Sequence, residues 1–260
     1  MEYSSVSCRV LREHFGINAK ENQKVIALAG NPNVGKSTVF NALTGLRQHT
    51  GNWPGKTVDN AQGVFTYKNN FFLMVDLPGT YSILARTVEE EIARDFICFG
   101  QPDVTIVVLD ATSLERNLNL ALQVMEITSR VVVCVNLIDE AKKKNISIDY
   151  AGLEQELGVP VVPTAARGGI GLEDLKEEVY QVALGFKKVQ PRKTRYSPEI
   201  EEALAALIPK IQDLGWGQFL NPRWVALRFL EGDEKLIDNI VRHLSLRTGQ
   251  SMNSEVEIAL

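Results

Sequence analysis

The stretch GNPNVGKS, which begins at Gly30, constrains the fold of this chain more than any other feature of its sequence. It fits the pattern GxxxxGK[ST], with Gly30, Gly35, Lys36 and Ser37 at the defined positions. The β-branched run KVIALAG precedes it, and the helix-compatible run STVFNALTG follows it. A strand, a glycine-containing loop and the first turn of a helix direct successive backbone N–H groups toward one point, where they form a nest for a phosphate group. The sequence therefore predicts a phosphate-binding loop at this position.

Each residue type in this loop has an expected role. We expect Lys36 to reach the β- and γ-phosphates of a nucleotide and the Ser37 hydroxyl to bind Mg²⁺. The alternative is a chance match in a turn, but strand, loop and helix occur here in the required order. The residues of the loop expected to contact the nucleotide are Asn31, Asn33, Val34, Gly35, Lys36, Ser37 and Thr38.

Apolar runs alternate with helix-compatible stretches along most of the chain. Near-continuous runs of Val, Ile and Leu are typical of strands buried on both faces, and their alternation with helices predicts a parallel sheet covered by helices. The segment AQGVFTYKNNFFLMVD predicts a hairpin that turns at Asn69 and Asn70 and adds an antiparallel edge strand. The five apolar runs are 24–30, 71–76, 104–110, 130–136 and 159–166.

A second motif, DLPG, begins at Asp76, where the run FFLMVD ends. A carboxylate at the end of a buried strand beside a phosphate loop is well placed to hold Mg²⁺, directly or through water. The Gly79 N–H can then contact the γ-phosphate, which makes this glycine, with Lys36, a candidate catalytic residue. A DxxG turn after a strand is common, and its position about forty residues after Lys36 is what makes it informative.

The third motif, NLID, follows the run RVVVCV and places Asn136 and Asp139 at the two defined positions of NxxD. An aspartate can accept hydrogen bonds from the N1–H and the exocyclic amine of guanine, whereas adenine offers neither in that arrangement. A buried Asp139 left unpaired would therefore reject ATP. Asn136 would brace the loop and the base. The alternative for Asp139 is that it caps the helix after it.

The segment after the last strand, with Thr164, Ala165 and Ala166, is expected to supply a backbone N–H to the base oxygen, although plain packing would explain it too. The order of the four motifs is similar to that of translation-factor-like G proteins, which implies GTP as the nucleotide and its hydrolysis to GDP and phosphate as the reaction. The expected fold class is a Ras-like P-loop GTPase of the α/β class, with a mostly parallel six-stranded sheet followed by a small all-helical domain.

The pattern of strands stops near residue 184. A basic linker follows, and then two runs whose apolar residues recur at helical spacing. Pro209 is expected to end or kink the first of these helices. The predicted organisation is an N-terminal extension at 1–23, a G domain at 24–184 and a helical domain at 190–260. The apolar faces comprise Leu204, Leu207, Ile208, Ile211, Ile237, Ile240, Val241 and Leu244.

The composition of the chain argues against several classes of function. A net charge of −4 and a pI near 5.6 argue against a nucleic-acid partner, since such proteins usually carry a basic face. Cys8, Cys98 and Cys134 form no CxxC pair, which fits a reducing cytosol without a disulfide framework or a zinc site. No apolar run approaches the roughly 18–20 residues that cross a bilayer, and the N-terminus lacks a secretory signal, so we expect the chain as given to be soluble.

Three segments together, GLRQHTGNWPGKTVDNAQG, DLPGTYSI and DATSLERNLNLALQ, resemble the cytosolic G domain of the ferrous iron transport protein B (FeoB) family. The resemblance covers about residues 24–184, and a helical domain in second place matches the layout of that family. It implies that the chain is a fragment at the cytoplasmic face of the cell (inner) membrane, followed by a permease domain. GTP hydrolysis would then gate Fe²⁺ uptake through that domain; self-association stays open.

The resemblance also assigns residues. Thr57 would be the switch threonine that completes the Mg²⁺ shell in the GTP-bound form; the alternative is an exposed loop threonine. Lys56 departs from the pattern, since relatives carry a small apolar residue there. Thr80 follows DxxG where many small GTPases have a glutamine that orients the attacking water, so intrinsic turnover is expected to be slow.

Asn33 is similar to the potassium-coordinating residue of cation-activated G proteins. K⁺ held by Asn33, the phosphates and the carbonyls of Gly51 and Trp53 would stand in for an arginine finger, whose effect on rate is about 10³–10⁵. The same comparison places Gly51 and Trp53 near the nucleotide. The alternatives are a loop-bracing hydrogen bond for Asn33 and, for Trp53, an anchor against the surface of the protein itself.

Two rival functions stay open. An RNA- or ribosome-associated assembly GTPase would need a basic module, for which the chain offers only the linker cluster. A nucleotide-sensing adaptor that does not hydrolyse its nucleotide is the other rival function. The linker cluster comprises Lys187, Lys188, Arg192, Lys193 and Arg195.

No iron site is expected, because His14, His49 and His243 are far apart and the acidic run at 89–91 is typical of a solvated helix start.

Overall fold

The computed structural model describes residues 12–45, 48–84, 86–214, 216–218 and 220–248. Within these residues one sheet of seven strands has the order β2-β3-β4-β1-β5-β6-β7. Neighbouring strands from β4 to β7 are parallel, and β3 is antiparallel to both of its neighbours. The predicted α/β class with a mostly parallel sheet is confirmed. The strands are β1 (Gln23–Gly30), β2 (Gln48–Asn52), β3 (Asp59–Tyr67), β4 (Asn70–Asp76), β5 (Val104–Asp110), β6 (Val131–Asn136) and β7 (Val161–Pro163).

Helices cover the faces of this sheet, as the unbroken apolar strands require. Every residue of β6 is buried, and so are the last six residues of β1, because neither strand has a face toward solvent. The core between the sheet and its helices is built around Phe40, Phe72, Ile106 and Val132, each at most 1% exposed. The helices of this part are α1 (Lys36–Thr44), α2 (Val88–Phe99), α3 (Leu114–Ile127), α4 (Ile138–Lys143), α5 (Tyr150–Leu157) and α6 (Leu172–Ala183).

The sheet has one strand more than the six that the sequence predicts. The extra strand, β2, has the sequence QHTGN and pairs with β3, with Gly51 opposite Asn60. This segment lacks the apolar residues that mark a strand, and it is extended because its backbone pairs with β3. The hairpin between β3 and β4 also turns one residue earlier than predicted, since Lys68 and Asn69, with φ of 45° and 60°, are the turn residues and Asn70 already belongs to β4.

This hairpin turn is fastened to α6 through Glu177. The carboxylate accepts a hydrogen bond from the Tyr67 hydroxyl at 2.9 Å and forms an ion pair with Lys68 Nζ at 2.6 Å. The Lys68 ammonium also lies 5.1 Å from the ring centroid of Tyr180. The hydrogen bond from Lys68, followed by those from Gln181 and Tyr67, lowers the pKa of Glu177 from 4.5 to about 2.

Replacing Glu177 by glutamine should therefore destabilise the fold in a pH-dependent way. A carboxylate whose pKa is lower in the folded chain stabilises it fully above the unfolded pKa of 4.5, and that contribution is lost as the pH falls toward about 2. We expect the difference in unfolding free energy between wild type and Glu177→Gln, measured by urea denaturation, to be largest near neutral pH and to shrink at pH 3. Glu173→Gln, which removes the exposed partner of Lys176, is the control. A difference for Glu177→Gln that is the same at both pH values would contradict this assignment.

The described chain divides into two compact units between Arg192 and Lys193. The linker ahead of this boundary belongs to the first unit, because the Arg192 N–H donates to Leu157 O at 2.8 Å and the Gln190 N–H to Gly158 O at 3.3 Å. The first unit also includes the described part of the predicted extension, in which Ile17 is fully buried. Residues 1–11, with Cys8, lie outside the described residues.

The second unit is helical as far as it is described. Its helices are α7 (Pro198–Asp213), α8 (Pro222–Glu231) and α9 (Glu234–Thr248). Leu204, Ile211 and Ile240 of the predicted apolar faces are buried, and Trp216 stacks on Phe229 at 6.2 Å. Pro209, predicted to end or kink this helix, does not end it: α7 continues to Asp213, since a proline near its last turn removes only one backbone hydrogen bond, and the kink stays a prediction. Residues 249–260 of the predicted domain lie outside the described residues.

Among the described helices, none is both long enough and apolar enough to cross a membrane.

Candidate nucleotide-binding site

The predicted motifs converge because five parallel strands end at one edge of the sheet. Leu28 of β1 lies opposite Asp76 of β4, and Asp110 of β5 lies opposite Asn136 of β6. Loops that follow parallel strands meet at the carboxyl edge, which is where open α/β sheets bind ligands. The phosphate loop, DLPG, NLID and the segment 164–166 all follow strands at this edge.

The phosphate loop enters α1 through left-handed backbone conformations. Asn33 has φ of 67° and Gly35, the residue before the first helical turn, has φ of 81°. A Cβ on Gly35 would lie 2.5 Å from Asn136 Nδ2, so both backbone conformation and space require glycine here. The N-cap residue of α1, Gly35, has no side chain that could cap the helix, and the first turn of α1 contains no acidic residue. The N–H groups of this turn are thus available to an anion.

Lys36 and Asp76 contact each other directly in an ion pair at the base of this loop. Their side chains are 11% and 16% exposed. Burial raises the pKa of Asp76, and the neighbouring Lys36 ammonium partly offsets that effect by lowering it. The structure thus brings together the cation predicted to bind phosphate and the carboxylate predicted to hold Mg²⁺. The oxygen atoms of Asp76 and of exposed Ser37 are hard ligands of the kind that Mg²⁺ prefers.

The DLPG turn lies against the phosphate loop. The Leu77 N–H donates to Leu28 O at 3.0 Å, and the Thr80 N–H donates to Gly30 O at 3.2 Å. A Cβ on Gly79 would come 3.4 Å from Pro32 Cα, so the two loops are in close contact at this glycine. Thr80 is buried, and its predicted failure to replace the water-orienting glutamine stays a prediction.

Asn136 joins the phosphate loop to the segment after β7. Its side-chain amide donates to Val34 O at 3.1 Å, and its carbonyl oxygen accepts from the Thr164 hydroxyl and from the Ala166 N–H, both at 3.1 Å. The residue is 1% exposed. Every one of these bonds is made inside the protein, so Asn136 braces the two loops against each other. The prediction that it also braces a base stays a prediction.

Asp139 differs from the prediction in one respect: its side chain is exposed, not buried. It lies in the first turn of α4, and Leu137, not Asp139, occupies the N-cap position, with no side-chain hydrogen bond capping the helix. The capping alternative is therefore wrong. Leu137 has φ of 64°, an unusual conformation for leucine, and left-handed backbone at such a residue is typical of functional sites.

The segment 164–166, predicted to supply a backbone N–H to the base oxygen, is packed inside the protein, and that role stays a prediction. All three residues are at most 5% exposed, and their N–H groups already donate within the protein, at 2.8 Å for Thr164 and 3.1 Å for both Ala165 and Ala166. A base oxygen at this position would have to share one of these hydrogens. The three acceptors are Val135 O, Ile170 O and Asn136 Oδ1.

The loop that carries Thr57 lies at the carboxyl edge as well. Because Ala61 of β3 is opposite Asp76, the residues just before β3 extend past the same end of the sheet as the phosphate loop. The Thr57 side chain is exposed. The structure agrees with a threonine that can reach this site, but the predicted role in a Mg²⁺ shell remains a prediction.

The three residues predicted to hold K⁺ are in different environments. Asn33 is exposed, and in the described part of the chain its side chain forms no hydrogen bond that would brace the loop. Gly51 belongs to β2 instead of a loop. The Trp53 side chain is 2% exposed and packs on Phe96 at 5.5 Å, so the indole anchors its loop on the protein and only its backbone could contact a ligand.

Two contacts of this region have no signal in the sequence. Gln123 of α3 accepts from the Ser82 hydroxyl at 3.1 Å and from the Ile83 N–H at 2.9 Å, which fastens the segment after DLPG. Phe15 packs on Trp53. Both join residues far apart in the chain, so no local pattern indicates them.

Two further predictions concern an iron site and the basic linker cluster. Among residues within the described ranges, no group of three or more His, Cys, Asp or Glu side chains is arranged to hold a metal ion. Two cations of the basic cluster are paired: Lys187 with Glu178 at 2.9 Å, and Arg192 with Glu156. The cluster therefore presents less positive charge than its sequence suggests.

A loop of this geometry between β1 and α1, with Asp76, Asn136 and Asp139 at the same edge of a Ras-like sheet, defines the class: the first unit has the fold of a P-loop GTPase. The family model described as ferrous iron transport protein B matches residues 24–179, and that described as the FeoB cytosolic helical domain matches residues 196–257. The chain belongs to the ferrous iron transport protein B family.

Individual relatives agree with this assignment. The Fe(2+) transporter FeoB of Methanocaldococcus jannaschii is 43% identical over 218 residues, which are 84% of this chain and 32% of that protein. The cytosolic domain of the T. maritima FeoB iron transporter in a GDP form is 39% identical, with a TM-score of 0.77, and the match covers 85% of each chain. The GMPPNP form of the same domain is 39% identical, with a TM-score of 0.76, and the match covers 85% of this chain and 86% of that chain. The chain spans 27% to 32% of the length of the curated relatives it matches.

Proposed function

We propose that this chain binds GTP with Mg²⁺ at the carboxyl edge of the sheet and hydrolyses it slowly to GDP and phosphate, with stimulation by K⁺. We propose further that it is the regulatory part of a ferrous iron transporter, at the cytoplasmic face of the cell membrane, where hydrolysis gates Fe²⁺ uptake through a membrane permease domain. The observation that carries the proposal is the Asn136 network, which ties the NLID segment that contains Asp139 to the phosphate loop and to residues 164–166. A nucleotide needs both ends of that site at once.

The phosphate end would be formed by backbone and by Lys36. The N–H groups at the start of α1 and the Lys36 ammonium supply positive charge, and the contact with Asp76 holds the lysine at the base of the loop. Ser37, Asp76 and Thr57 would hold Mg²⁺, which when bound neutralises charge on the phosphate oxygens. Their side chains offer only oxygen ligands, which suits this ion.

The base end would depend on Asp139. An exposed carboxylate is hydrated, and a guanine can replace that water with two charge-assisted hydrogen bonds. An adenine would displace the water without replacing its hydrogen bonds. Selection of guanine in the proposed site thus comes from the failure of the wrong base to pair, and the T. maritima relative in its GDP and GMPPNP forms supports this choice of nucleotide.

The chain's own residues favour slow hydrolysis. Water attack at the γ-phosphate needs a group that orients the water and a positive charge that stabilises the transition state. Thr80 is buried, which leaves the first task without the usual side chain. The exposed Asn33 oxygen can bind a monovalent cation beside the phosphates, which would supply the charge.

The proposal is tested by steady-state turnover of GTP and of ATP with Mg²⁺, in buffers that contain either K⁺ or Na⁺. We expect turnover of GTP only, and a rate higher in K⁺ than in Na⁺ by at least about tenfold, a modest part of the effect of an arginine finger. Asn33→Ala should turn over GTP at the same rate in both salts, because the cation then lacks its side-chain ligand.

Asn145→Ala is the matched control, since this asparagine also has positive φ, at 57°, but lies after α4. It should keep the difference between the two salts. Equal turnover of GTP and ATP would contradict the proposed nucleotide, and equal rates in the two salts for wild type would contradict the role of Asn33.

A further inference from the structure

A short segment ahead of β1 is folded against the body of the first unit. Residues 12–14 are helical, and the turn ends in a Schellman motif, in which Ile17 N–H donates to Arg12 O and Gly16 N–H to Glu13 O, both at 2.9 Å. Gly16 has the left-handed φ of 71° that this motif needs. The segment precedes residue 24, where the match to the family model begins.

The segment inserts Phe15 into an aromatic cluster with Trp53 and Phe96. The ring of Phe15 meets Trp53 at 6.4 Å and Phe96 at 5.5 Å, and Trp53 meets Phe96 at 5.5 Å. All three pairs are edge-on, the arrangement that aromatic quadrupoles prefer. Trp53 is thus held between a residue of α2 and a residue of the N-terminal segment.

Hydrogen bonds fix the segment on either side of this cluster. Arg12 donates to Gly100 O at 3.2 Å and to Gln101 O at 2.7 Å, just after α2. On the other side, Gln62 Nε2 of β3 donates to Gly16 O at 3.1 Å. The segment therefore bridges α2 and β3, the two elements beside the loop that begins at Trp53.

Trp53 is one end of the loop that carries Thr57. Its N–H donates to Val58 O at 2.9 Å, which closes residues 53–58, and its carbonyl accepts from the Lys56 N–H at 2.9 Å. Thr57 lies inside this closed loop and is exposed. Fixing the indole therefore fixes both ends of the loop, while Thr57 itself is left free to contact a ligand.

We propose that Phe15 is a positioning residue for this loop: by holding Trp53 it lowers the entropy lost when Thr57 is ordered against a nucleoside triphosphate. The inference rests on the proposed function. Preorganisation strengthens binding only of a ligand that the loop contacts. A triphosphate with Mg²⁺ would contact Thr57 through the γ-phosphate end, whereas a diphosphate lacks that group. Phe15 should therefore affect affinity for the triphosphate and leave affinity for the diphosphate unchanged.

The test compares the affinities of the full chain for GMPPNP and for GDP, by calorimetry with Mg²⁺. Phe15→Ala should weaken GMPPNP binding by about two- to tenfold, the effect of one aromatic pair, and leave GDP binding as in wild type. Phe15→Leu, which keeps most of the apolar contact, should restore most of the loss. Phe71→Ala is the control, because this phenylalanine is 42% exposed and lies at the start of β4, whereas Asp76 lies at the other end of that strand.

Arg12→Gln gives a second test that leaves the aromatic cluster in place. It removes the charged hydrogen bonds to Gly100 and Gln101 and the ion pair with Asp103, and it should raise the ratio of the GMPPNP to the GDP dissociation constant, as Phe15→Ala does. The inference would be overturned if both variants lost affinity equally for GMPPNP and GDP, lost none for either, or bound GMPPNP more tightly. Any of these results would leave the proposed function standing. A wild-type chain that binds neither nucleotide would overturn the proposed function and this inference with it.

Discussion

Lys36→Met is expected to lower the rate of GTP hydrolysis by about 10²–10³-fold, the usual effect of removing one preorganised donor to a transition-state oxyanion. The methionine side chain has similar length but carries no charge. The anion nest of backbone N–H groups would remain, so weaker nucleotide binding should persist while turnover is lost. Steady-state turnover and calorimetry with GDP measure the two effects separately.

The same substitution should also destabilise the fold, because Asp76 loses Lys36, its one ion-pair partner among the described residues, in a largely buried position. Breaking a buried ion pair by removing one partner costs about 3–5 kcal/mol, and less where the remaining carboxyl group becomes protonated. Adding Asp76→Asn should recover part of the unfolding free energy without recovering turnover, since the amide needs no counter-charge and binds Mg²⁺ weakly. This double variant separates a catalytic role from a structural one.

Lys142→Met is the control for these measurements, because Lys142 is an exposed lysine of α4. Its turnover and stability should match those of wild type. If the turnover of Lys36→Met stayed within about threefold of wild type, the loss would be far smaller than removal of a donor predicts. That result would contradict the assigned role of the phosphate loop.

Asp139→Asn should change which base the chain accepts. Guanine presents two donors, N1–H and the exocyclic amine, and an asparagine can accept only one of them while its own N–H group faces the other. Affinity for GTP should fall by about 10²–10³-fold, since a polar group is then left unpaired at the site. Xanthine has a carbonyl in place of that amine, so the variant should gain affinity for XTP.

Competition between GTP and XTP for the wild type and the variant measures this exchange directly. Glu140→Gln is the matched control, because it makes the same chemical change at the next residue, whose partner is Lys143 at 2.8 Å. It should leave the preference for GTP intact. A variant Asp139→Asn that keeps its affinity for GTP and gains none for XTP would show that another group reads the base.

The parts of the site that depend on local backbone were predictable. Gly35 must be glycine because of a left-handed φ, and the motif that contains it requires a strand before it and a helix after it. The apolar runs predicted the parallel strands because both faces of those strands are buried. Since parallel strands end at one edge, the order of the motifs also predicted that Asp76 and Asn136 lie beside the phosphate loop.

Parts of the site that depend on partners distant in the chain were predicted less well. The exposure of Asp139 and the engagement of the Ala165 and Ala166 N–H groups depend on how β6, β7 and α4 are arranged. Strand β2 is polar and forms only because β3 is next to it. No local pattern carries such information, since the same residues would be solvated in another arrangement.

By itself, the sequence determined the class of fold, the loop that can hold a phosphate and the membership in a family, because these follow from residue types at fixed spacing. Only the tertiary structure decided that Trp53 is an anchor between Phe15 and Phe96, and that Lys36 meets Asp76. The physical reason is that burial and pairing depend on which surfaces meet. That is settled only when segments far apart in the chain pack together.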